Sequence, residues 1–193
     1  MNRIVFIRHG ATAGNLKRRY TGRTDEPLSS VGTLQAERLR DRAITIDRLF
    51  ASPMLRTRQT AEIVFPGVPY ELVEDFREMD FGVFEGRTAL EMRDDPQYKV
   101  WVDSWCEGPV PGGEAPADFR RRIVNAFLKS ASGFSEGESI GIVAHGGTIM
   151  SLVSALSEPP CGFYDIQPAH CEPLYYVYDN GKLYREGVNR VFR

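Results

Sequence analysis

Cysteine is scarce in this chain, long apolar runs are missing, and neither sign of charge dominates. The 193 residues hold three cysteines, Cys106, Cys161 and Cys171, irregularly spaced and without a CxxC pair. An odd, scattered set argues against a disulfide framework or a zinc site and is read as reduced thiols in a cytoplasmic protein. No apolar run approaches the ~20 residues of a membrane span. The apolar stretch within Met1 to Ile7 is too short for a signal peptide, and charge follows at once. A formal net charge of −2 leaves no overall basic field to recruit nucleic acid. Walker A and HExxH motifs are absent, and the acidic residues show no metal-ligand spacing. What remains is ordinary globular composition, 42% hydrophobic and 26% charged, with enough chain for one core. Any attraction for an anion must come from a local cluster of Arg and Lys.

No internal repeat or low-complexity segment interrupts the chain. A short buried strand is expected over Arg3 to Ile7, running into Arg8-His9-Gly10, and then a polar loop through Asp25. Ser29 caps an expected helix to about Arg42. A second strand spans Asp47 to Ala51, and Ser52-Pro53 reads as an N-cap followed by proline at the first helical position. The helix after it carries Arg56 and runs to about Val64. Tyr70 to Val73 is extended. Thr88 to Glu91 fits a capping box opening a short helix that Pro96 limits. Gln97 to Gly113 is an excursion from the main sheet. Pro116 starts a helix with Phe119, Ile123, Ala126 and Phe127 on one face. Ser139 to Ala144 is a strong buried strand entering His145-Gly146-Gly147 and a helix to about Leu156. A hairpin is expected around Asn180-Gly181.

Strands alternating with helices imply a three-layer α/β/α fold with a mostly parallel sheet. The expectation is one domain over 1–193 with a small helical insertion, roughly 87–113, over the active site. Ligands of such sheets sit beyond the carboxyl ends of the strands. Both of the strongest strands end there in His-Gly, so His9 and His145 are expected to meet. With Arg8, Arg56 and the helix start at Gly146-Gly147 they make a candidate anion pocket. Arginine binds phosphate oxygens bidentately, and a helix N-terminus favours negative charge. Cationic neighbours favour the neutral form of a histidine, and neutral imidazole is a competent nucleophile toward phosphorus. Phosphoryl transfer is mostly positioning plus charge stabilisation, so an arginine clamp can serve where other enzymes use metals.

Arg8-His9-Gly10-Ala11-Thr12 with Asn15 and Thr21-Gly22 resembles the opening signature of the histidine phosphatase superfamily, which includes the cofactor-dependent phosphoglycerate mutases. The likeness continues through Ser52 to Thr57 with Gln59-Thr60-Ala61. It then takes in Glu78, Gly82-Val83-Phe84-Glu85-Gly86, Pro111-Gly112-Gly113-Glu114 and Ala144-His145-Gly146-Gly147. The resemblance implies that His9 becomes phosphohistidine and that Arg8, Arg56 and His145 hold the phosphoryl group. It also implies that Asn15, Thr21, Gly22 and Gly146 line the pocket, and that Glu78 is the proton donor. No metal and no cofactor are implied. Asp80 and Glu85 compete with Glu78 for the acid role, and burial or those two neighbours are expected to raise its pKa.

Ala11, Gly14 and Ala115 depart from residues frequent in the family, which leaves the substrate open. The short stretch between Gly86 and Pro111 is more similar to the α-ribazole phosphatase-like small phosphatases than to the mutases. The expected activity is hydrolysis of a small phosphorylated metabolite, α-ribazole phosphate or a sugar phosphate. A phosphoglycerate mutase and a non-catalytic phospho-ligand-binding protein are the alternatives. His170 matches no motif and is read as an ordinary surface or partly buried residue. Lys17-Arg18-Arg19 reads as a solvated loop, or as a contact for a second anionic group. Tyr98, Trp101 and Trp105 are read as packing for the insertion, or as shaping a lid over a ring-bearing substrate. The oligomeric state is not legible.

Overall fold

Apolar residues run unbroken through the first strand because both of its faces are covered. In β1 (Asn2–Arg8), Ile4 and Phe6 enter one hydrophobic cluster and Val5 and Ile7 another, and all four are fully buried. The structure, a computed structural model, describes residues 1–187. Residues 188–193, the end of the expected domain, lie outside the described residues.

The further strands are β2 (Arg48–Ala51), β3 (Tyr70–Leu72), β4 (Ser139–Ala144), β5 (Pro173–Asp179) and β6 (Lys182–Arg185). Their order is β3-β2-β4-β1-β5-β6. The first four run parallel, whereas β5 and β6 are antiparallel. The helices are α1 (Ala13–Leu16), α2 (Ser30–Arg40), α3 (Leu55–Val64), α4 (Pro96–Asp103), α5 (Pro116–Ala131) and α6 (Gly146–Leu156). Ala36 and Leu39 of α2, with Ala61 and Val64 of α3, cover the Val5–Ile7 face. Phe119, Ile123 and Phe127 of α5, with Ile149, Leu152 and Val153 of α6, cover the Ile4–Phe6 face. The fold is the expected three-layer α/β/α arrangement. Phe6 meets Phe127 at 6.4 Å and Tyr176 at 5.7 Å between ring centroids, and each such buried aromatic contributes roughly 1.5–3 kcal/mol by area.

Three local expectations are corrected. Ser52-Pro53 does not open α3: Met54 is its N-cap and Leu55 its first residue. The carboxylate of Asp25 accepts from the Leu55 N–H at 2.7 Å, so the cap comes from a distant loop and Ser52 is released for other work. Thr88 and Glu91 do form both capping-box bonds, at 2.8 and 3.1 Å, but the residues after them make turns rather than a helix. A β-bridge between Arg19 and Thr88 ties down the start of the segment. Pro96 begins a helix instead of limiting one, at the first position of α4 behind Asp95, which accepts from the Gln97 N–H. Proline suits that position because the first-turn N–H groups lack intrahelical partners. The loop to Asp25 also holds α1, capped reciprocally by Thr12 and Asn15. The hairpin forms as expected, with Asn180 and Gly181 at φ 49° and 77°, the left-handed pair of a tight β-turn.

Candidate active site

Strand register brings the two histidines together. Arg8 pairs with Ala144, so His9 and His145 leave adjacent parallel strands at one level. Their rings lie 5.1 Å apart at 65°, and both residues are buried. His9 Nδ1 lies 2.8 Å from the Gly10 carbonyl. That carbonyl only accepts, so Nδ1 carries the proton and Nε2 keeps its lone pair. Burial first, and then Arg56, hold the His9 pKa well below the ordinary histidine value. His145 is the opposite tautomer: its Nδ1 accepts from Arg56 Nε at 3.2 Å, leaving Nε2–H to donate to Ser52 Oγ at 2.8 Å. Burial and Arg56 likewise keep it neutral.

Arg56 is fully buried in the first turn of α3. Its Nη1 donates to Thr24 O at 2.8 Å and its Nη2 to Gly22 O at 2.9 Å. Arg8 donates from Nη1 to Pro168 O at 3.0 Å, while its buried Nε has no partner. Burial lowers the pKa of both arginines, although nearby carboxylates, Glu78 first, oppose the shift. Gly146 opens α6 under Arg8: a Cβ there would stand 3.5 Å from Arg8 Nε. Asn15 Oδ1 accepts from the Thr12 N–H at 3.1 Å, and the residue also lines a cavity with Arg8. Thr21 and Gly22 reach the site through Arg56. The Gly22 N–H itself is taken by Glu85 at 3.0 Å.

Glu78 stands over α6. Its Oε2 accepts from the Gly147 N–H at 2.9 Å and its Oε1 from the Met79 N–H at 3.0 Å. Burial outweighs these bonds and the charges of Arg56 and Arg8, so the pKa is raised. Neighbouring acids are not the cause, because both are engaged elsewhere. Asp80 pairs with Arg23 at 2.9 Å and accepts from Gly82. Glu85 collects the N–H groups of Gly22, Arg23 and Phe81 and the Thr24 hydroxyl. Its place is to fold the loop that holds Arg56.

Two contributors had escaped the sequence. His170 Nδ1 lies 2.6 Å from the His9 carbonyl, with its ring 5.4 Å from that of His9. Burial, then Arg8, lowers its pKa to about 4. Arg122 of α5 pairs with both oxygens of Glu114, at 2.6 and 2.8 Å, and donates to the carbonyls of Asp75, Arg77 and Glu78. The Pro-Gly-Gly-Glu element thus steadies the backbone that carries Glu78. No motif marks either residue; only the folded β-bridge from Arg8 to His170 and the packing of α5 place them. Among the described residues, no group of three or more His, Cys, Asp or Glu side chains converges as a metal site, and no helix is long and apolar enough to cross a membrane.

A strand-end pocket built from two neutral histidines, a buried and a partly buried arginine and a protonatable carboxyl defines a class of proteins that handle phosphoryl groups. Residues 4–190 match the family described as histidine phosphatase superfamily (branch 1), and the chain belongs to that superfamily. It is 33% identical over 162 residues to the "Probable phosphoglycerate mutase GpmB" of Salmonella typhi, covering 81% of this chain and 75% of that one. It is 32% identical over 164 residues to the adenosylcobalamin/alpha-ribazole phosphatase of Salmonella typhimurium, covering 82% and 81%. Among solved structures, Bacillus stearothermophilus YhfR superposes with a TM-score of 0.82 at 27% identity, over 96% of both chains. The alpha-ribazole phosphatase of Shigella flexneri shares the fold, with a TM-score of 0.86 at 23% identity over 95% of this chain and 94% of that one.

Proposed function

We propose that this protein is a phosphomonoester phosphatase that works through phosphohistidine at His9, on a small phosphorylated metabolite such as α-ribazole phosphate or a sugar phosphate. The observation that carries the reading is the His9 tautomer: Nδ1–H is held by the Gly10 carbonyl, and the lone pair on Nε2 is free in a site that keeps the ring neutral. In the first step Nε2 bonds to phosphorus, the bond to the ester oxygen breaks, and Glu78 delivers a proton to that oxygen. The cation developing on the ring is stabilised through Nδ1–H and the Gly10 carbonyl. In the second step Glu78, now a carboxylate, takes a proton from water as its oxygen attacks phosphorus, and the N–P bond breaks. Arg8, Arg56, the His145 ring and the α6 N-terminus at Gly146 carry the charge on the phosphoryl oxygens, with Asn15 at the edge. Thr21 and Gly22 position Arg56.

We read residues 1–193 as one cytoplasmic domain with an insertion at roughly 87–113. Tyr98 and Trp101 of that segment pack against Tyr20 and Phe84. The shortness of the stretch between Gly86 and Pro111 favours transfer to water over return to a retained substrate. The GpmB relatives keep mutase turnover as the second reading.

The test is phosphate release from α-ribazole phosphate, phosphoglycerates, sugar phosphates and a nucleotide in EDTA, with His9→Ala as control. Release that survives EDTA and vanishes in the variant is expected. Interconversion of phosphoglycerates primed by a bisphosphate, without net release, would replace the phosphatase by the mutase. Binding without either reaction would leave a phospho-ligand-binding protein.

A further inference from the structure

We propose that Arg18, with His170 and Arg8, forms a second anion subsite beside the phosphoryl pocket, so that the substrate carries a carboxylate or a second phosphate besides the phosphoryl group that is transferred. This deepens and rests on the phosphatase reading above.

The subsite is a cavity of ≈ 250 Å³ walled by Arg8, Arg18, Arg19 and His170, with Asn15, Tyr20 and Ala89 completing it. Three arginines line it and no carboxylate does. The volume falls below the ~300–1,000 Å³ typical of sites for larger ligands, so it suits a compact molecule. Arg8 belongs to both compartments, and its buried Nε is without a partner.

The neighbouring arginines differ in what they already hold. Arg19 is committed to the Gly86 carbonyl and to Glu91. The Arg18 side chain has no hydrogen bond or ion pair among the described residues. Its backbone is nonetheless fixed: the Arg18 N–H donates to Asn15 O at 2.9 Å, and φ is +56°. Glycine adopts that left-handed conformation freely, whereas a residue with a Cβ does so at a cost. The turn after α1 thus fixes the backbone of an exposed arginine whose side chain lines the cavity together with Arg8.

His170 completes the wall in a defined tautomer. Nδ1–H is spent on the His9 carbonyl, and its Nε2 has no partner among the described residues. Two cationic forks and an imidazole around one space recognise a planar or tetrahedral anion through charge-assisted hydrogen bonds.

The experiment uses three esters that differ only at the far end: propyl phosphate, 3-phosphonooxypropanoate and 1,3-propanediol bisphosphate. Binding is read by calorimetry in the His9→Ala background, where no turnover is expected, and phosphate release is read with the wild-type protein. We expect one of the two compounds with an anionic far end to bind roughly tenfold or more tighter than propyl phosphate, the size of one charge-assisted contact at a partly open site. The better of the carboxylate and the bisphosphate names the source. Arg18→Gln should bring that preference down toward one. Arg18→Gly should do the same while relaxing the backbone, which separates loss of the guanidinium from loss of fold. Equal binding of all three esters, or a preference that survives both variants, would overturn the subsite. A preference that depends on Arg18 without phosphate release from any ester would keep the subsite and sink the phosphatase reading.

Discussion

Glu78 reaches its place because residue 147 has no side chain. The Gly147 N–H binds Glu78 Oε2 at 2.9 Å, and a Cβ on residue 147 would stand 2.4 Å from Glu78 Oε1. Gly147→Ala should therefore displace the carboxyl by moving the end of a flexible side chain, leaving the fold intact. A positioned general acid is worth ~10²–10⁴-fold, so kcat on an alkyl phosphate should fall by up to that range. It should fall much less on an aryl ester, whose leaving oxygen needs little protonation. Equal losses on both would show that Glu78 is not the proton donor.

The same carboxyl sets the pH profile. The reaction needs His9 neutral and Glu78 protonated. The His9 pKa is depressed and the Glu78 pKa raised, so the acidic limb should lie below the ordinary histidine value and the basic limb above the ordinary carboxylate value. Glu78→Gln should abolish the basic limb in kcat/KM. Survival of that limb would remove Glu78 from the mechanism.

Stability should depend on pH through the histidines, with a definite sign. His170 titrates near 6.5 unfolded and at about 4 folded, so between those values the unfolded chain binds more protons. Stability then rises with pH across that window and is lost as pH falls through it, at about 1.36 kcal/mol per unit for each fully coupled group. His9 and His145 act in the same direction, while the raised Glu78 opposes them. Urea titrations should show His170→Asn with a shallower loss between pH 6.5 and 4. An unchanged slope would show that the ring titrates normally.

Arg122 should behave as a positioning residue. It fixes the carbonyls of Asp75, Arg77 and Glu78 while paired with Glu114. A lysine keeps the charge and loses the fork. Arg122→Lys should lower kcat about tenfold with KM little changed, shift the basic limb of the pH profile, and cost roughly 1–3 kcal/mol of stability. A stability loss with an unmoved pH profile would make the network merely structural.

Inorganic phosphate should stabilise the protein without any substrate, because burial disfavours the charged forms of Arg8 and Arg56 and a bound anion would offset that cost. At 100 times its Kd, phosphate adds about 2.7 kcal/mol, or roughly 5–10 °C in Tm for a chain of this size. Arg56→Ala should remove most of that shift in a thermal melt. A shift that persists in the variant would place the anion elsewhere.

The sequence by itself determined the strands and most helices, because their signals are local. The apolar run of Ser139–Ala144 and the single apolar face of Pro116–Ala131 follow from periodicity alone. It also allowed His9 and His145 to meet, since both leave the carboxyl ends of buried strands, and the adjacency of β1 and β4 in the folded sheet then brings the rings together. Where local signals misled, a distant group had intervened. Asp25 caps α3 in place of Ser52, and a bridge to Arg19 holds Thr88 where a helix was expected to open.

Which acid faces the site, and which residues support it, depends on contacts that form when the chain folds. The family resemblance favours Glu78 over Asp80 and Glu85, but nothing along the chain shows what each carboxylate touches. Folding gives Glu85 to the loop amides and Asp80 to Arg23, and leaves Glu78 against α6. His170 and Arg122 carry no sequence mark, because what recruits them is a strand register and a helix face formed by segments far apart in the chain. Hydrogen bonds and desolvation act over a few ångströms of space, and only the folded chain defines those distances.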